Sequence, residues 1–220
     1  MVTLGFLHTA EVHVATFEAL VGEAAPASAA ATVHAVAPDL LDRARAEGPT
    51  PDLAEGVRAA VADVVARGAD VVVCTCSTLG PIAESVDAGV AVLRVDRPMA
   101  AAAVAAGPRI GVVAALESTL APTLGLIAGE AQRAGVAPAV VDAWVPEAWA
   151  AFESGDLAGY HAQVAAAARS IAGEVDVVVL AQASMAGAQP LLADLGVPVL
   201  VSPGLAVRAA LAAAGRPRGR

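Results

Sequence analysis

The sequence predicts an α/β protein made of two parallel-sheet domains related by a pseudo-two-fold axis, the product of an internal duplication. The first observation is a repeat: "DVVVCTCSTLGP" from Asp70 and "DVVVLAQASMAG" from Asp176 share an acidic residue, a valine run and a small loop. At the same offset of 106 residues, "LGFLHTAEV" from Leu4 matches "IGVVAALES" from Ile110. The second observation is that short β-branched runs alternate with longer alanine-rich segments of helical period. That alternation is typical of parallel strands covered on both faces.

Eight strands and eight helices follow from this alternation. The strands are expected at residues 3–8, 31–36, 70–75, 91–95, 109–114, 138–143, 175–180 and 198–201. The helices are expected at residues 13–22, 51–67, 80–87, 97–106, 118–134, 157–172, 186–194 and 204–214. Thr50 before Pro51 marks one helix start, and Gly68 marks a helix end. The segment "APDLLDRARAEG", with Asp39 and Asp42 on a solvated face, is expected to be a loop over the cleft.

The domains are predicted to comprise residues 1–96 plus 204–220, and residues 97–203. Ligands of open α/β sheets bind beyond the carboxyl ends of the strands. Both repeated motifs lie at such ends. The active site is therefore expected in the cleft between the domains, with Cys76 and Gln182 approaching it from opposite sides.

The composition argues against a membrane protein. The chain is 57% hydrophobic but only 3% aromatic, with a mean hydropathy of +0.67. No uninterrupted apolar run reaches the roughly 18 residues that a membrane span requires. The start, "MVTLGFLHTAEV", has no basic region typical of a secretory signal. We expect a cytoplasmic protein that does not bind membranes.

Charge and residue usage exclude several functional classes. A net charge of −9 and a pI near 4.8 argue against a nucleic-acid surface. All 13 basic residues are arginines, so neither a lysine Schiff base nor a P-loop lysine is possible. No Cys/His cluster has metal-ligand spacing. We expect neither a cofactor nor a metal.

The loop "CTCSTLGP" is the strongest candidate for chemistry. Cys74 and Cys76 are too close in sequence for an unstrained disulfide, so both are expected to be reduced. Pro81 indicates a helix start, whose unpaired N–H groups favour an anion and are expected to lower a nearby thiol pKa toward neutrality. Cys76, further out on the strand, is the expected reactive thiol. The alternative is that both cysteines are small buried hydrophobic residues.

On these residues the chain resembles the aspartate/glutamate racemase superfamily, which includes glutamate, aspartate and hydantoin racemases, maleate isomerases and arylmalonate decarboxylases. The resemblance covers essentially all 220 residues. The family's first motif, Cys-Asn-Thr or similar, matches Cys76-Ser77-Thr78. Its second, Gly-Cys-Thr or Gly-Cys-Ala, matches Ala181-Gln182-Ala183. The chain is most similar to racemase-like members, here with only the first motif cysteine kept.

Gln182 is the departure from the family pattern. The family's racemases use a thiolate on one face of the substrate carbon and a thiol on the other. An amide has no accessible pKa for either role, so two-thiol racemisation is excluded and proton delivery to one face is expected. The arrangement is similar to that of arylmalonate decarboxylases, which keep one cysteine, in the other half, to protonate an enediolate after carbon dioxide leaves.

Other side chains at the strand ends complete the expected site. His8 is expected to be a second acid or base, near the point where the family's glutamate racemases carry an acidic residue; the alternative is a structural histidine. In the family, the residues after the motif cysteines hold the substrate carboxylate, and Ser77 and Thr78 match them. His34 and His161, both single, are assigned no role. The full set of expected substrate-binding positions is Thr9, Ser77, Thr78, Ser118, Thr119, Gln182, Ala183 and Ser184, with helix capping the alternative for each hydroxyl.

Three functions are compatible with the sequence. The leading hypothesis is a cofactor-independent enzyme acting beside the carboxylate of a small carboxylic or amino acid, by isomerisation, racemisation with a non-cysteine partner, or decarboxylation. The second is a small-carboxylate-binding protein without catalysis, and the third is lyase or hydrolase chemistry through a covalent Cys76 adduct. The composition is also compatible with a homodimer.

Overall fold

The structure is a computed structural model that describes residues 1–26 and 29–215. Its strands form two four-stranded parallel sheets, ordered β2-β1-β3-β4 and β6-β5-β7-β8. The strands are β1 Val2–His8, β2 Ala30–Val36, β3 Val71–Cys74, β4 Ala91–Arg94, β5 Arg109–Ala114, β6 Ala139–Trp144, β7 Val177–Leu180 and β8 Val199–Val201. The α/β class with two parallel sheets is confirmed, and each expected strand is present.

Helices flank both sheets, and none within the described residues is long and apolar enough to cross a bilayer. They are α1 Val12–Ala24, α2 Pro38–Glu47, α3 Pro51–Ala66, α4 Gly80–Glu84, α5 Arg97–Ala106, α6 Glu117–Ala134, α7 Pro146–Glu153, α8 Leu157–Ile171 and α9 Ser202–Ala214. Thr50 caps α3 as expected, because its hydroxyl accepts a hydrogen bond from the Leu53 N–H at 3.2 Å.

Four helix predictions need correction. The expected loop carrying Asp39 and Asp42 is helix α2, whose inner face buries Leu40, Leu41 and Ala44, and helix α7 was not predicted. The expected helix at 80–87 ends at Glu84. The expected helix at 186–194 is a 3₁₀ segment, Ala183–Leu192. Pro190 lies inside that segment and removes a backbone donor that a regular α-helix needs.

Contacts divide the chain into two units, Met1–Val95 with the segment that begins at Pro203, and Asp96–Ser202. Each unit has its own hydrophobic core. The central strands β3 and β7 are buried at every residue, which explains their continuous valine runs. In the first unit, α9 contributes Ala206, Val207 and Ala210 to a core with Phe6 and Phe17.

The acidic residue that opens each repeat has a structural role. In the first unit, the backbone N–H of Thr3 donates to Asp70 Oδ2 at 2.8 Å. In the second unit, the equivalent N–H of Arg109 donates to Asp176 Oδ2 at 2.9 Å. Each aspartate therefore ties the start of one strand to the start of its neighbour. The repeated aspartates belong to the scaffold and not to the site.

The repeated glycines, Gly5 and Gly111, allow close packing of the sheet against neighbouring segments. A Cβ on Gly5 would overlap with Val64 Cγ1 and lie 2.7 Å from Ala69 Cβ. On Gly111, the nearest atom would be the flexible end of Ile171, at 2.8 Å.

We expect Gly5→Ala to lower the free energy of unfolding by about 1–3 kcal/mol, because a packed core accommodates added atoms poorly. Gly111→Ala should cost less, since the end of the Ile171 side chain can move. Gly22→Ala is the matched control: it lies in α1 with open space around it and should raise stability by about 0.5–1 kcal/mol. Urea unfolding measures all three, and equal effects of Gly5→Ala and Gly22→Ala would contradict the packing argument.

Candidate functional site

The first motif lies in the loop between β3 and α4. Cys76 is buried, with 8% of its surface exposed. Its sulfur takes part in hydrogen bonds with the backbone N–H groups of Leu79 and Thr78 and with the hydroxyls of Thr9 and Thr78. Two strand ends, those of β1 and β3, therefore position groups around one thiol.

Burial raises the pKa of the Cys76 thiol above its usual value, and the hydrogen bonds, led by that of the Leu79 N–H, oppose the shift. The expectation of a lowered pKa is therefore wrong, because desolvation of the thiolate outweighs the donors at the helix start. Cys76 rests as a protonated thiol. This form is a proton donor, and the surrounding donors stabilise the thiolate left after the proton leaves.

Cys74 lies deeper, on β3, and is fully buried. Its thiol donates a weak hydrogen bond to the carbonyl oxygen of Cys76 at 3.6 Å. Both cysteines are free thiols. Cys74 fits the description of a small core residue, and only Cys76 is in the motif loop.

The motif loop also packs against a buried arginine that the sequence analysis missed. Arg94 ends β4, in register with Cys74, and is only 5% exposed. A Cβ on Gly80, the first residue of α4, would lie 3.0 Å from Arg94 Nε. The glycine therefore gives the guanidinium room beside the loop. The signal in the sequence was a lone arginine in the otherwise apolar strand "AVLRV".

His8, at the end of β1, is fully buried and bonded at both ring nitrogens. Nδ1 lies 2.8 Å from Thr75 Oγ1, and Nε2 lies 2.9 Å from His34 Nδ1. The Thr75 hydroxyl donates to the carbonyl of Leu7 at 3.2 Å, so its oxygen accepts from His8 Nδ1–H. His8 Nε2 must then accept from His34 Nδ1–H. The network assigns one tautomer to each ring and links His8 to the residue before Cys76.

His34, assigned no role from the sequence, is therefore not alone. Its ring lies beside those of Phe6 and His8, with nearly parallel planes and centroid distances of 5.2 Å to each. His13, in the first turn of α1, lies 6.1 Å from His8. Within the described residues, no group of three His, Cys, Asp or Glu side chains is arranged to hold a metal ion.

The buried histidines predict how stability depends on pH. Burial, with smaller contributions from His13 and His34, lowers the pKa of His8 to about 3; burial lowers the pKa of His13 to about 4. The unfolded chain takes up these protons near pH 6.5, so stability is lost as pH falls below that value. Each histidine should contribute a slope of about 1.4 kcal/mol per pH unit, for His8 down to about pH 3 and for His13 down to about pH 4.

We expect the slope of unfolding free energy against pH to be smaller in His8→Phe by about 1.4 kcal/mol per pH unit between pH 6 and 5. Urea unfolding at pH 7.5, 6.0 and 5.0 measures it. Parallel curves for the wild type and the variant would contradict a neutral, buried His8.

In the second unit, the motif position holds Gln182, which is 7% exposed. Its Oε1 accepts a hydrogen bond from the backbone N–H of Ala115 at 2.7 Å. Only the amide oxygen can accept, so the orientation of the side chain follows from the backbone donor. Nε2 makes no hydrogen bond within the described part of the chain and remains available as a donor.

The other expected residues of the second unit take different positions. Ser118 and Thr119 lie in the first turn of α6, and the capping position before them is Leu116. Ser184 Oγ is 2.8 Å from the hydroxyl of Tyr160, which is fully buried on α8. Ala183 begins the 3₁₀ segment that follows Gln182.

The two units share a backbone plan but differ in chemistry. At the repeat offset, Cys76 corresponds to Gln182 and Thr9 to Ala115. In each unit the first strand pairs with the third in the same register. Three further polar positions of the first unit have apolar counterparts: His8, Thr75 and Ser77 correspond to Ala114, Ala181 and Ala183. The groups able to exchange or relay protons are concentrated in the first unit.

Comparisons with known proteins agree with this architecture. A family model described as Asp/Glu/hydantoin racemase matches residues 8–210. The chain belongs to this racemase family. Comparison with curated proteins gives no match.

Several solved structures share this fold. Aspartate racemase from Picrophilus torridus matches with a TM-score of 0.74 at 15% identity, covering 99% of this chain and 96% of that one. Allantoin racemase from Klebsiella pneumoniae matches with a TM-score of 0.67 at 22% identity, covering 96% of this chain and 87% of that one. An unliganded arylmalonate decarboxylase matches with a TM-score of 0.59 at 14% identity, covering 99% of this chain and 94% of that one. At these identities the likeness concerns the fold alone.

Proposed function

We propose that this racemase-family protein is a cofactor-independent enzyme that moves a proton at the carbon next to the carboxylate of a small carboxylic or amino acid. Cys76 is the acid/base, and the reaction passes through an enolate-like intermediate. The observation that carries the proposal is the buried Cys76 thiol, whose sulfur meets the hydroxyl of Thr9 and backbone N–H groups of its own loop.

The proton transfer follows from this arrangement. Burial keeps the proton on the Cys76 sulfur until a carbanion of higher basicity is next to it. The proton then passes to the carbon, and the N–H of Leu79 and the hydroxyl of Thr9 stabilise the thiolate that remains. When the carbon starts protonated, the thiol first gives its proton to solvent, and the thiolate then removes the proton from the carbon and returns one exchanged with solvent. Deuterium from solvent enters the substrate through the exchangeable S–H.

Groups around the thiol are suited to hold the carboxylate and the enolate oxygen. Ser77, 4% exposed, and Thr78 occupy the positions that hold carboxylate in the family, and the Thr78 donors that bond to the Cys76 sulfur would have to turn to the substrate. Preorganised donors of this kind stabilise charge as it develops. The residues that the sequence predicts for the second unit are proposed to bind carboxylate as well: the Gln182 Nε2 amide, the Ala183 backbone and the hydroxyls of Ser118, Thr119 and Ser184.

We assign His8 a role in positioning the motif loop. Direct acid/base action, the hypothesis drawn from the sequence, requires one of its bonds to Thr75 or His34 to break. Through Thr75, the His8 ring fixes the residue that precedes Cys76. Loss of His8 should then misplace the thiol and lower its rate of proton transfer.

Decarboxylation with protonation on one face is the second candidate, and Gln182 favours it. In that reaction, the bond between the carbon and one carboxylate breaks and carbon dioxide leaves. The electron pair of that bond stays on the substrate, which becomes an enediolate. Cys76 gives its proton to the carbon, and solvent reprotonates the thiolate. The step needs one acid only, which matches a site with one motif thiol.

Solvent deuterium incorporation, followed by NMR, tests the proposal. The panel contains aspartate, glutamate, allantoin and other hydantoins, maleate, and aryl- and alkylmalonates. We expect exchange or product with at least one compound. A protein that binds a panel compound but exchanges no proton in any of them would be the carboxylate-binding protein of the second hypothesis. A covalent adduct on Cys76, seen by intact-protein mass spectrometry, would favour the third.

A further inference from the structure

His13 is the histidine near the motif loop for which the fold provides no partner. Its side chain is 8% exposed, yet within the described residues neither ring nitrogen makes a hydrogen bond. Among the described residues, the side-chain nitrogen and oxygen atoms that are both shielded from solvent and without a hydrogen bond are His34 Nε2 and Ser202 Oγ. Neither ring nitrogen of His13 is among them. The ring nitrogens of His13 therefore keep access to solvent from an otherwise buried position.

His13 lies near the carboxyl end of β1, the strand end that is followed by Thr9. It is the second residue of α1, and its backbone N–H donates to the Ala10 carbonyl at 3.2 Å. The same short turn carries Thr9, whose hydroxyl bonds to the Cys76 sulfur. The ring also packs 6.1 Å from that of His8, between centroids. His13 thus borders the same strand end that positions the thiol.

A purely structural role explains this side chain poorly. Because solvent reaches its ring nitrogens, His13 avoids the full cost of an unpaired buried polar group, but a phenylalanine would fill the same space without desolvating an imidazole. Its neighbour one turn later, Phe17, does so and is fully buried. His8 differs from His13, because both nitrogens of His8 are satisfied by protein groups. A solvent-accessible nitrogen without a protein partner, on a ring that is otherwise buried beside a candidate site, can bond to a ligand in place of water.

Resting on the function proposed above, we propose that His13 contacts the substrate beside Cys76. Its neutral imidazole donates a hydrogen bond to the carboxylate or enolate oxygen that gains charge while Cys76 exchanges the proton at carbon. The bond strengthens as negative charge moves onto that oxygen, so it favours the transition state over the bound ground state.

Two features support a neutral donor at this position. Burial lowers the pKa of His13 to about 4, so the ring is uncharged above pH 5. The start of α1 adds a partial positive charge that also disfavours an imidazolium. A neutral imidazole at a helix start can polarise a carbonyl oxygen without giving up its proton.

The test compares three substitutions of His13 in the full-length protein. His13→Phe keeps the ring volume and removes the donor, and should lower kcat of Cys76-dependent exchange by about 10²- to 10³-fold without loss of stability at pH 7.5. Asn places an amide near Nδ1 and Gln places one near Nε2, so one of the two should recover part of the rate. Thr16→Ala, one turn along α1, is the control and should leave the rate unchanged.

A binding measurement separates this inference from the proposed function. In the Cys76→Ala protein, the imidazole NMR signals of His13 should shift saturably on titration with malonate, maleate or aspartate. Full exchange activity in His13→Phe would overturn the role of His13 and leave the role of Cys76 intact. Exchange that survives Cys76→Ala would overturn the proposed function instead. If no panel compound is exchanged, the titration decides, and no shift with any of the three carboxylates would overturn the inference.

Discussion

Cys76→Ala is expected to lower solvent-deuterium incorporation by about 10²- to 10⁴-fold, the usual contribution of a positioned acid/base. The reason is that the buried thiol is the one group of the first motif able to exchange a proton near neutral pH. Cys76→Ser tests the point more sharply, because a hydroxyl keeps the hydrogen bonds with Thr9 and Leu79 but does not ionise at useful rates. It should be nearly as inactive as the alanine variant. NMR of the substrate in deuterium oxide measures both.

Cys74→Ala is the matched control for the thiol. Cys74 is fully buried on β3, two residues from Cys76 on the same segment. We expect a loss of about 1–2 kcal/mol in unfolding free energy from the missing sulfur, with the exchange rate retained within about tenfold, well short of the usual loss of an acid/base. Equal losses of activity in the two variants would mean that the motif cysteine acts through the fold and not through chemistry.

Gln182→Cys is expected to give the protein a second proton donor and to turn a product of one handedness into a mixture of both. Gln182 is the counterpart of Cys76, and the sequence predicts that both motif positions reach one substrate. An amide delivers no proton, whereas a thiol at this position can serve the other face of the carbon. Chiral chromatography of the product measures the ratio of the enantiomers.

The control for this variant is Gln182→Ala. Both substitutions remove the acceptor of the Ala115 N–H, bonded at 2.7 Å, and should cost a similar 1–3 kcal/mol, roughly, of stability. Only the cysteine variant gains a thiol, so only it should produce both enantiomers. A product of unchanged handedness in Gln182→Cys would show that the second motif does not reach the reacting carbon.

Much of the fold could be predicted from the sequence because the duplication shows each strand twice. The valine runs of β3 and β7 are buried at every residue and are typical of the central strands of a parallel sheet. Helices α2 and α7 were missed for one shared reason: each begins with a proline, Pro38 or Pro146, two residues after an edge strand. Proline at that place is also a turn signal, and only the buried residues of α2 decide in favour of a helix.

The strand end that carries the candidate residues was predictable from the sequence, their roles stay predictions, and their electrostatics could not be predicted. The motif identified Cys76, Ser77 and Thr78, yet the direction of the thiol pKa depends on burial by distant residues. The His8–His34 bond depends on β1 pairing with β2 in the register that sets Phe6 opposite His34. That register places His34 one diagonal step from His8 on the same face of the sheet. Nothing local to either histidine indicates this contact.

The hydrogen bonds at Asp70 and Asp176 allow the two units of the molecule to be compared with each other. The backbone N–H groups of Thr3 and Arg109 sit in the same kind of bond, with lengths of 2.8 and 2.9 Å. Asp176 also binds the guanidinium of Arg109, so the hydrogen-exchange rates of the two N–H groups compare the strand starts of the two units with that ion pair added in the second. Ala115 carries a further bond, from its N–H to Gln182 Oε1, so its exchange rate reports how firmly the Gln182 side chain holds the second loop, and Gln182→Ala should raise that rate.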